Sequence, residues 1–183
     1  MTKLTKKQTT YLLLIVFAIG QMIFGKNNTL QKISIVPTQI PTPTIFFGEK
    51  QTVLVSRVID GDTIEIEGKI KVRYIGINSP EIYHDSTGKK TGEQCFANEA
   101  YLENKKLVEG KTIAMIKDIS DKDKYGRLLR YVYVGDQFVN EYLIKNGYAK
   151  LMTIKPDIKF SQQFKANQAE AKTNNLGIWS KCN

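Results

Sequence analysis

The chain has 183 residues, with 27 lysines and arginines against 18 acidic residues and a formal charge of +9. Its 42% hydrophobic and 25% charged content fits a globular protein with enough chain for one domain and a core. One histidine and two cysteines exclude a four-cysteine zinc site, a two-cysteine/two-histidine finger and an HExxH site, which leaves catalysis to carboxylates, arginines and an oxygen-bound metal.

Residues 1–48 hold five lysines and no acid, while residues 49–183 hold 22 basic and 18 acidic side chains. More than half of the net charge therefore precedes the folded part. Lys3, Lys6 and Lys7 lead into the apolar run Tyr11–Phe24. As a helix that run would rise about 21 Å, short of a hydrocarbon core of roughly 30 Å. Residues 1–25 read as a signal peptide or an uncleaved signal-anchor, two alternatives that the pattern leaves open. The flanking lysines place the N-terminus in the cytoplasm and the rest outside, either secreted or held at the membrane by the N-terminal segment alone. Residues 26–50 read as a linker, because Val36–Thr44 carries three of the five prolines and so favours extended, semi-stiff chain. The folded domain is expected over 51–183.

Residues 52–59, 63–67 and 70–77 are rich in β-branched side chains and separated by Asp-Gly-Asp and Gly-Lys turns, which predicts a three-stranded meander. The spacing of Ala97, Ala100, Tyr101, Leu107 and Val108 predicts a helix over 93–108, stopped by Gly110. Strands follow at 111–117 and 128–134, and helices at 138–146 and 158–173. The expected class is α+β: a five-stranded antiparallel barrel of the OB type with about three flanking helices.

Three segments carry chemistry. Asp60-Gly61-Asp62-Thr63 fits a hairpin turn, and Asn78-Ser79-Pro80-Glu81 ends a strand at a proline. Arg73 lies between them in a strand row with Ile75 and Ile77, as a rim residue or a placed cation. Asp121–Arg127 fails the spacing of an EF-hand, since Tyr125 takes the fifth position and Val132 the twelfth. It reads as a charged loop presenting Lys124, Tyr125 and Arg127.

The order VIDGDTIEIEGKIKVRYIGINSPE, DKYGRLLRYVYV, FVNEYLIKNGYAK and GIWS resembles the staphylococcal nuclease (thermonuclease-like) family over about residues 51–182. The resemblance implies an OB-fold and a calcium-dependent endonuclease acting on DNA and RNA. It puts Arg73, Glu81 and Arg127 at catalytic positions, Asp62, Asn78 and the carbonyl of Ser79 at calcium positions, and Lys124 and Tyr125 beside the nucleotide. Two arginines suit a phosphodiester because a guanidinium keeps its charge and binds phosphate oxygens bidentately. Glu81 could accept a proton from the attacking water.

The sequence departs from the family pattern at Asn78, where an aspartate is usual, so weaker calcium binding is expected. It departs again at Met152-Thr153-Ile154, where tyrosines are usual. His84 and Asp85 are expected in a flexible loop as bystanders, and Trp179 as a packing anchor. Cys95 and Cys182 form a candidate disulfide in an exported protein. A monomer is expected. The competing reading is a catalytically inactive OB-type module that binds nucleic acid or protein.

Overall fold

The computed structural model describes residues 50–182; the expected leader and nearly all of the expected linker lie outside the described residues. A sheet of β1 (Lys50–Asp60), β2 (Thr63–Ile66), β3 (Ile70–Tyr74), β7 (Thr112–Ile116) and β8 (Leu128–Val134) closes on itself. Strand β1 serves two partners. Its first half pairs with β7, from Lys50 opposite Ile116 to Leu54 opposite Thr112, and its second half pairs with β2. Register shifts between Val55 and Arg57 and between Val58 and Asp60 bend it from one partner to the other, as β-bulges do.

The ring closes where β3 meets β8, with Val72 opposite Leu128 and Tyr74 opposite Arg130. This pairing is parallel, which corrects the expectation of an all-antiparallel set. A direct hairpin cannot join parallel neighbours, and here α1 (Ala97–Val108) and β7 intervene between them in the chain. The short strand β9 (Gln137–Phe138) extends β8.

Several boundaries also differ from expectation. The third strand stops at Tyr74, so Ile75 and Ile77 do not continue the row of Arg73. The chain turns at Gly76, whose φ is +83°; a Cβ there would lie 2.7 Å from the ring of Phe164. A two-residue strand β4 (Ile77–Asn78) follows and pairs with β10 (Lys150–Leu151). Residues assigned to a loop and to the start of a helix instead form a hairpin, β5 (Ile82–His84) with β6 (Lys90–Glu93). His84 therefore lies in a strand. Asp85 organises the turn, its Oδ1 accepting the amides of Thr87 and Lys89 at 2.9 and 3.0 Å.

Helix α1 buries Ala97, Ala100, Asn104 and Val108, a stripe at helical spacing. Helices α2 (Val139–Lys145) and α3 (Ser161–Thr173) cap the other side, where Leu143, Ile144 and Phe164 are fully buried. Tyr131 meets Phe138, Phe160 and Phe164 edge-on at 6.0, 4.6 and 6.5 Å. Burial of a side chain such as Phe164 contributes about 1.5–3 kcal/mol. The last helix, α4 (Ile178–Lys181), buries Ile178, and the ring of Trp179 is flanked by Lys172 and Lys150 at 4.6 and 5.6 Å. Cys182 after it is bonded to Cys95 before α1, with Cα atoms 5.8 Å apart.

Candidate functional site

The turn between β1 and β2 is more than a hairpin connection. Asp60 Oδ1 accepts the amide of Asp62 at 3.0 Å, which shapes the turn. Gly61 then presses against Ser79 and α1: a Cβ on it would lie 2.6 Å from Ser79 Cβ and 2.8 Å from Ala100 Cβ. Only a residue without a side chain lets the Asp-Gly-Asp turn reach the Asn-Ser-Pro-Glu segment. The contact is sealed by Ser79, whose amide donates to Asp62 Oδ2 at 2.6 Å.

Arg73 sits directly opposite Thr63 in the β2–β3 register, one residue from Asp62. That register carries its guanidinium onto the turn. Nη1 lies 2.7 Å from Asp62 Oδ2 and donates to the carbonyl of Tyr74 at 3.2 Å, while Nη2 donates to Asn78 Oδ1 at 2.8 Å. Arg73 is 5% exposed and Asp62 1%. Of the two sequence readings of Arg73, the structure matches the placed cation. Burial pushes the Asp62 carboxyl above its ordinary pKa and Asp60 adds to this, against the pull of Arg73 and of the Ser79 amide. The hydroxyl of Ser79 is buried without a partner among the described residues.

Glu81 is held by its backbone. Its amide donates to Gln94 Oε1 at 3.0 Å, and its carbonyl accepts the Gln94 amide at 2.9 Å. Gln94 Nε2 in turn donates to the Tyr83 hydroxyl at 2.9 Å. The Glu81 carboxyl is raised above the usual carboxylate range, first by burial and then by Asp60, while Arg73 and Arg127 draw it down. Asp60, Glu81 and the two arginines thus act on one another electrostatically.

Arg127 comes from the loop that precedes β8. Asp123 Oδ1 accepts the amides of Tyr125 and Arg127 at 2.9 and 3.0 Å, and Asp123 Oδ2 meets Arg127 Nε at 2.7 Å. Burial pushes the Asp123 carboxyl up, but the Arg127 guanidinium and these amides outweigh it and hold the group below its ordinary pKa. The terminal nitrogens of Arg127 make no hydrogen bond among the described residues, so its fork stays available. Tyr125 is 72% exposed and carries Lys124 Nζ and Arg127 over its ring at 5.0 and 5.5 Å. These residues, with Arg73, Met152 and Ile154, line a cavity of about 380 Å³.

The structure thus joins Asp62, Arg73, Asn78 and Ser79 by direct bonds, with Glu81 in electrostatic reach of Arg73 and Arg127, and with Arg73, Lys124, Tyr125 and Arg127 in the cavity wall. Cys95 lies next to Gln94, outside the cluster. Sequence reasoning missed Asp60, Gln94 and Asp123. Asp60 was legible as the other carboxylate of Asp-Gly-Asp, and Asp123 as an acid four residues before Arg127. Gln94 left no signal, because only the hairpin fold brings it to Glu81.

Asp60, Asp62 and Asn78 bring two carboxylates and an amide oxygen to this turn, oxygen donors of the kind a hard divalent cation takes. The mutual pressure of Asp60 and Asp62 is what a bound cation would relieve. The closed ring of strands thus carries buried carboxylates flanked by two arginines. The family model described as staphylococcal nuclease homologue matches residues 71–181. The SPbeta prophage-derived endonuclease YokF of Bacillus subtilis (strain 168) is 40% identical over 136 residues, 70% of this chain and 44% of that protein. Endonuclease YncB of the same organism is 39% identical, over 70% of this chain and 62% of that protein. The thermonuclease of Staphylococcus intermedius is 32% identical over 96% of this chain and 99% of its own. The chain belongs to the staphylococcal nuclease family, and it spans less than two thirds of the length of the two Bacillus relatives.

Proposed function

We propose that the chain is a calcium-dependent endonuclease that hydrolyses phosphodiester bonds in DNA, RNA or both. The observation that carries this reading is the buried pair of Arg73 with Asp62, next to a cavity that Arg73 and Arg127 line, with the Glu81 carboxyl in the electrostatic reach of both arginines. The names of the relatives, endonuclease and thermonuclease, agree with it. The closed ring of strands with its helices is read as an OB-fold.

Asp62, Asn78 and the carbonyl of Ser79 would hold the calcium ion, with Asp60 adding negative charge. When bound, calcium acts as a Lewis acid toward phosphate and orients the reacting groups. The remaining work falls to side chains. Arg127 presents its free terminal nitrogens to the phosphate oxygens, where negative charge grows as the nucleophile attacks. Arg73 adds a second fixed positive charge and keeps Asp62 and Asn78 in place. Glu81 accepts the proton of the attacking water, and a raised pKa makes it a better base than a free carboxylate. Lys124 and Tyr125 bind the nucleotide that enters the cavity.

The lysine-led apolar run at residues 11–24 supports an extracytoplasmic location, secreted or membrane-anchored, and the Cys95–Cys182 bond is consistent with oxidising surroundings. Among the described residues no helix is long and apolar enough to cross a membrane. Digestion of long DNA and RNA by the full chain tests the proposal. Cleavage in calcium that stops with chelator and resumes on adding calcium is expected. Binding without cleavage in calcium would favour the inactive module.

A further inference from the structure

Beyond the cavity that holds Tyr125 and Arg127, two further grooves run along the outside of the strand ring. A groove of about 450 Å³ lies next to it and shares Lys122, Tyr125 and Arg127 with it, adding Lys69 and Lys71. A groove of about 500 Å³ shares Lys71 with the second one and adds Arg57, His84 and Lys90. The three are therefore linked end to end through shared walls. Neither added groove has a carboxylate in its wall.

Strand register explains the row. Arg57 stands opposite Glu65 and Glu65 opposite Lys71, so the three side chains share one outward face of β1, β2 and β3. Glu65 holds Arg57 by two hydrogen bonds of 3.1 Å, from Nε and one terminal nitrogen, and this fixes the guanidinium on the outward face while 63% of the Arg57 side chain stays exposed. Lys90 is paired with Glu93 at 2.8 Å, the two side chains being 47% and 38% exposed, while Lys71 forms no ion pair among the described residues. The far groove also touches Ile59 and Ile82, the neighbours of Asp60 and Glu81. Tyr101 in its wall supplies an aromatic ring next to the cations.

We infer that Arg57, Lys71 and Lys90 line a binding track for a single polynucleotide strand, which holds backbone phosphates along the grooves that continue from the cavity past Tyr125. A positively charged groove with interspersed aromatic rings is the recurring solution for single strands. The inference rests on the nuclease reading for the orientation of the strand. The track makes the protein favour long substrates, because a dinucleotide filling the first cavity never reaches it.

The test compares the wild-type chain with Arg57→Ala/Lys71→Ala/Lys90→Ala. Binding of a fluorescent oligothymidylate of about 20 nucleotides is followed by anisotropy across salt concentrations, beside calcium-dependent cleavage of a thymidine dinucleotide. The triple variant is expected to bind the oligonucleotide ~10-fold more weakly. The slope of log affinity against log salt is expected to fall by about 2, at roughly 0.7 per lost phosphate contact. Dinucleotide turnover and melting temperature stay unchanged. Lys71→Glu alone, which breaks no ion pair, shifts binding in the same direction. An unchanged affinity and salt slope would overturn the track, as would a proportionate loss on the dinucleotide. Intact oligonucleotide binding with lost binding to phosphatidylglycerol vesicles would assign the groove to lipid and also overturn it. If the wild type cleaves nothing, the nuclease reading fails, and the anisotropy arm still decides the track.

Discussion

At the scale of single residues, Glu81 and Asp123 are opposite cases of one rule. Burial raises the Glu81 carboxyl, so its ionised form is disfavoured in the fold. A group whose pKa is raised on folding stabilises most at low pH and loses that contribution as pH rises through the folded value. Glu81→Gln is therefore expected to match or exceed wild type in melting temperature at pH 7, while kcat falls by about 10²–10⁴ with little change in KM. Steady-state kinetics and thermal melts check both halves; equal losses in kcat and affinity would count against a base. Asp123 is lowered, so its contribution is present above the ordinary carboxylate pKa and disappears as pH falls through its folded value. The Arg127 Nε–H proton resonance should stay constant from pH 7 to about 4 and move below it. In Asp123→Asn that acid transition should be absent.

At the scale of elements, the hairpin of β5 and β6 acts as a holder for Glu81. Gln94 follows the hairpin and bonds both backbone groups of Glu81, and the next residue, Cys95, ties this point to the C-terminus. Gln94 is a positioning residue: it touches the backbone of Glu81 and no atom of the cavity wall. Gln94→Ala should lower kcat about 10-fold with KM held, since one lost hydrogen bond of about 1–1.5 kcal/mol misplaces the carboxyl. Gln94→Glu, which still offers an acceptor to the Glu81 amide, should recover most of that loss; a merely structural role would not follow this order. The helices were legible as periodic apolar stripes, although their first turns were not. The helix expected over 93–108 starts only at Ala97, and pairing with Ile82 claims Glu93 for a strand.

At the scale of the whole molecule, two buried asparagines tie the helices to the ring. Asn104 on α1 donates to the carbonyl of Asp60 at 2.9 Å and accepts from the Tyr74 hydroxyl at 3.0 Å. Asn140 on α2 accepts the Val132 amide at 2.9 Å and donates to the Ile75 carbonyl at 2.9 Å, across the place where β3 meets β8. Asn140→Ala leaves a donor and an acceptor buried without partners and is expected to cost about 2–4 kcal/mol in denaturant unfolding. A loss below about 0.5 kcal/mol would mean that this closure does not depend on it. The disulfide spans 87 residues, and the chain-entropy account assigns such a loop about 4–5 kcal/mol. Reductant should lower the denaturant midpoint of the full chain accordingly, and an unchanged midpoint would count against that role.

The residue types and their order were enough to determine the strands of the ring, three longer helices and the family, and they pointed to most of the side chains that the fold gathers at the candidate site. These follow from local alternation, helical spacing and short motifs, which a linear chain displays. Neither asparagine announced its role, because a polar residue in an apolar stripe has no partner until the fold supplies one. The same holds for the parallel closure of β3 on β8, for Gln94 behind Glu81 and for the contact that demands Gly61. Each joins segments far apart in sequence, and pairwise geometry of that kind exists only once the ring has closed. The charge of +9 divides in the same way. Its sum is a property of composition, but the row of Arg57, Lys71 and Lys90 is made by strand register.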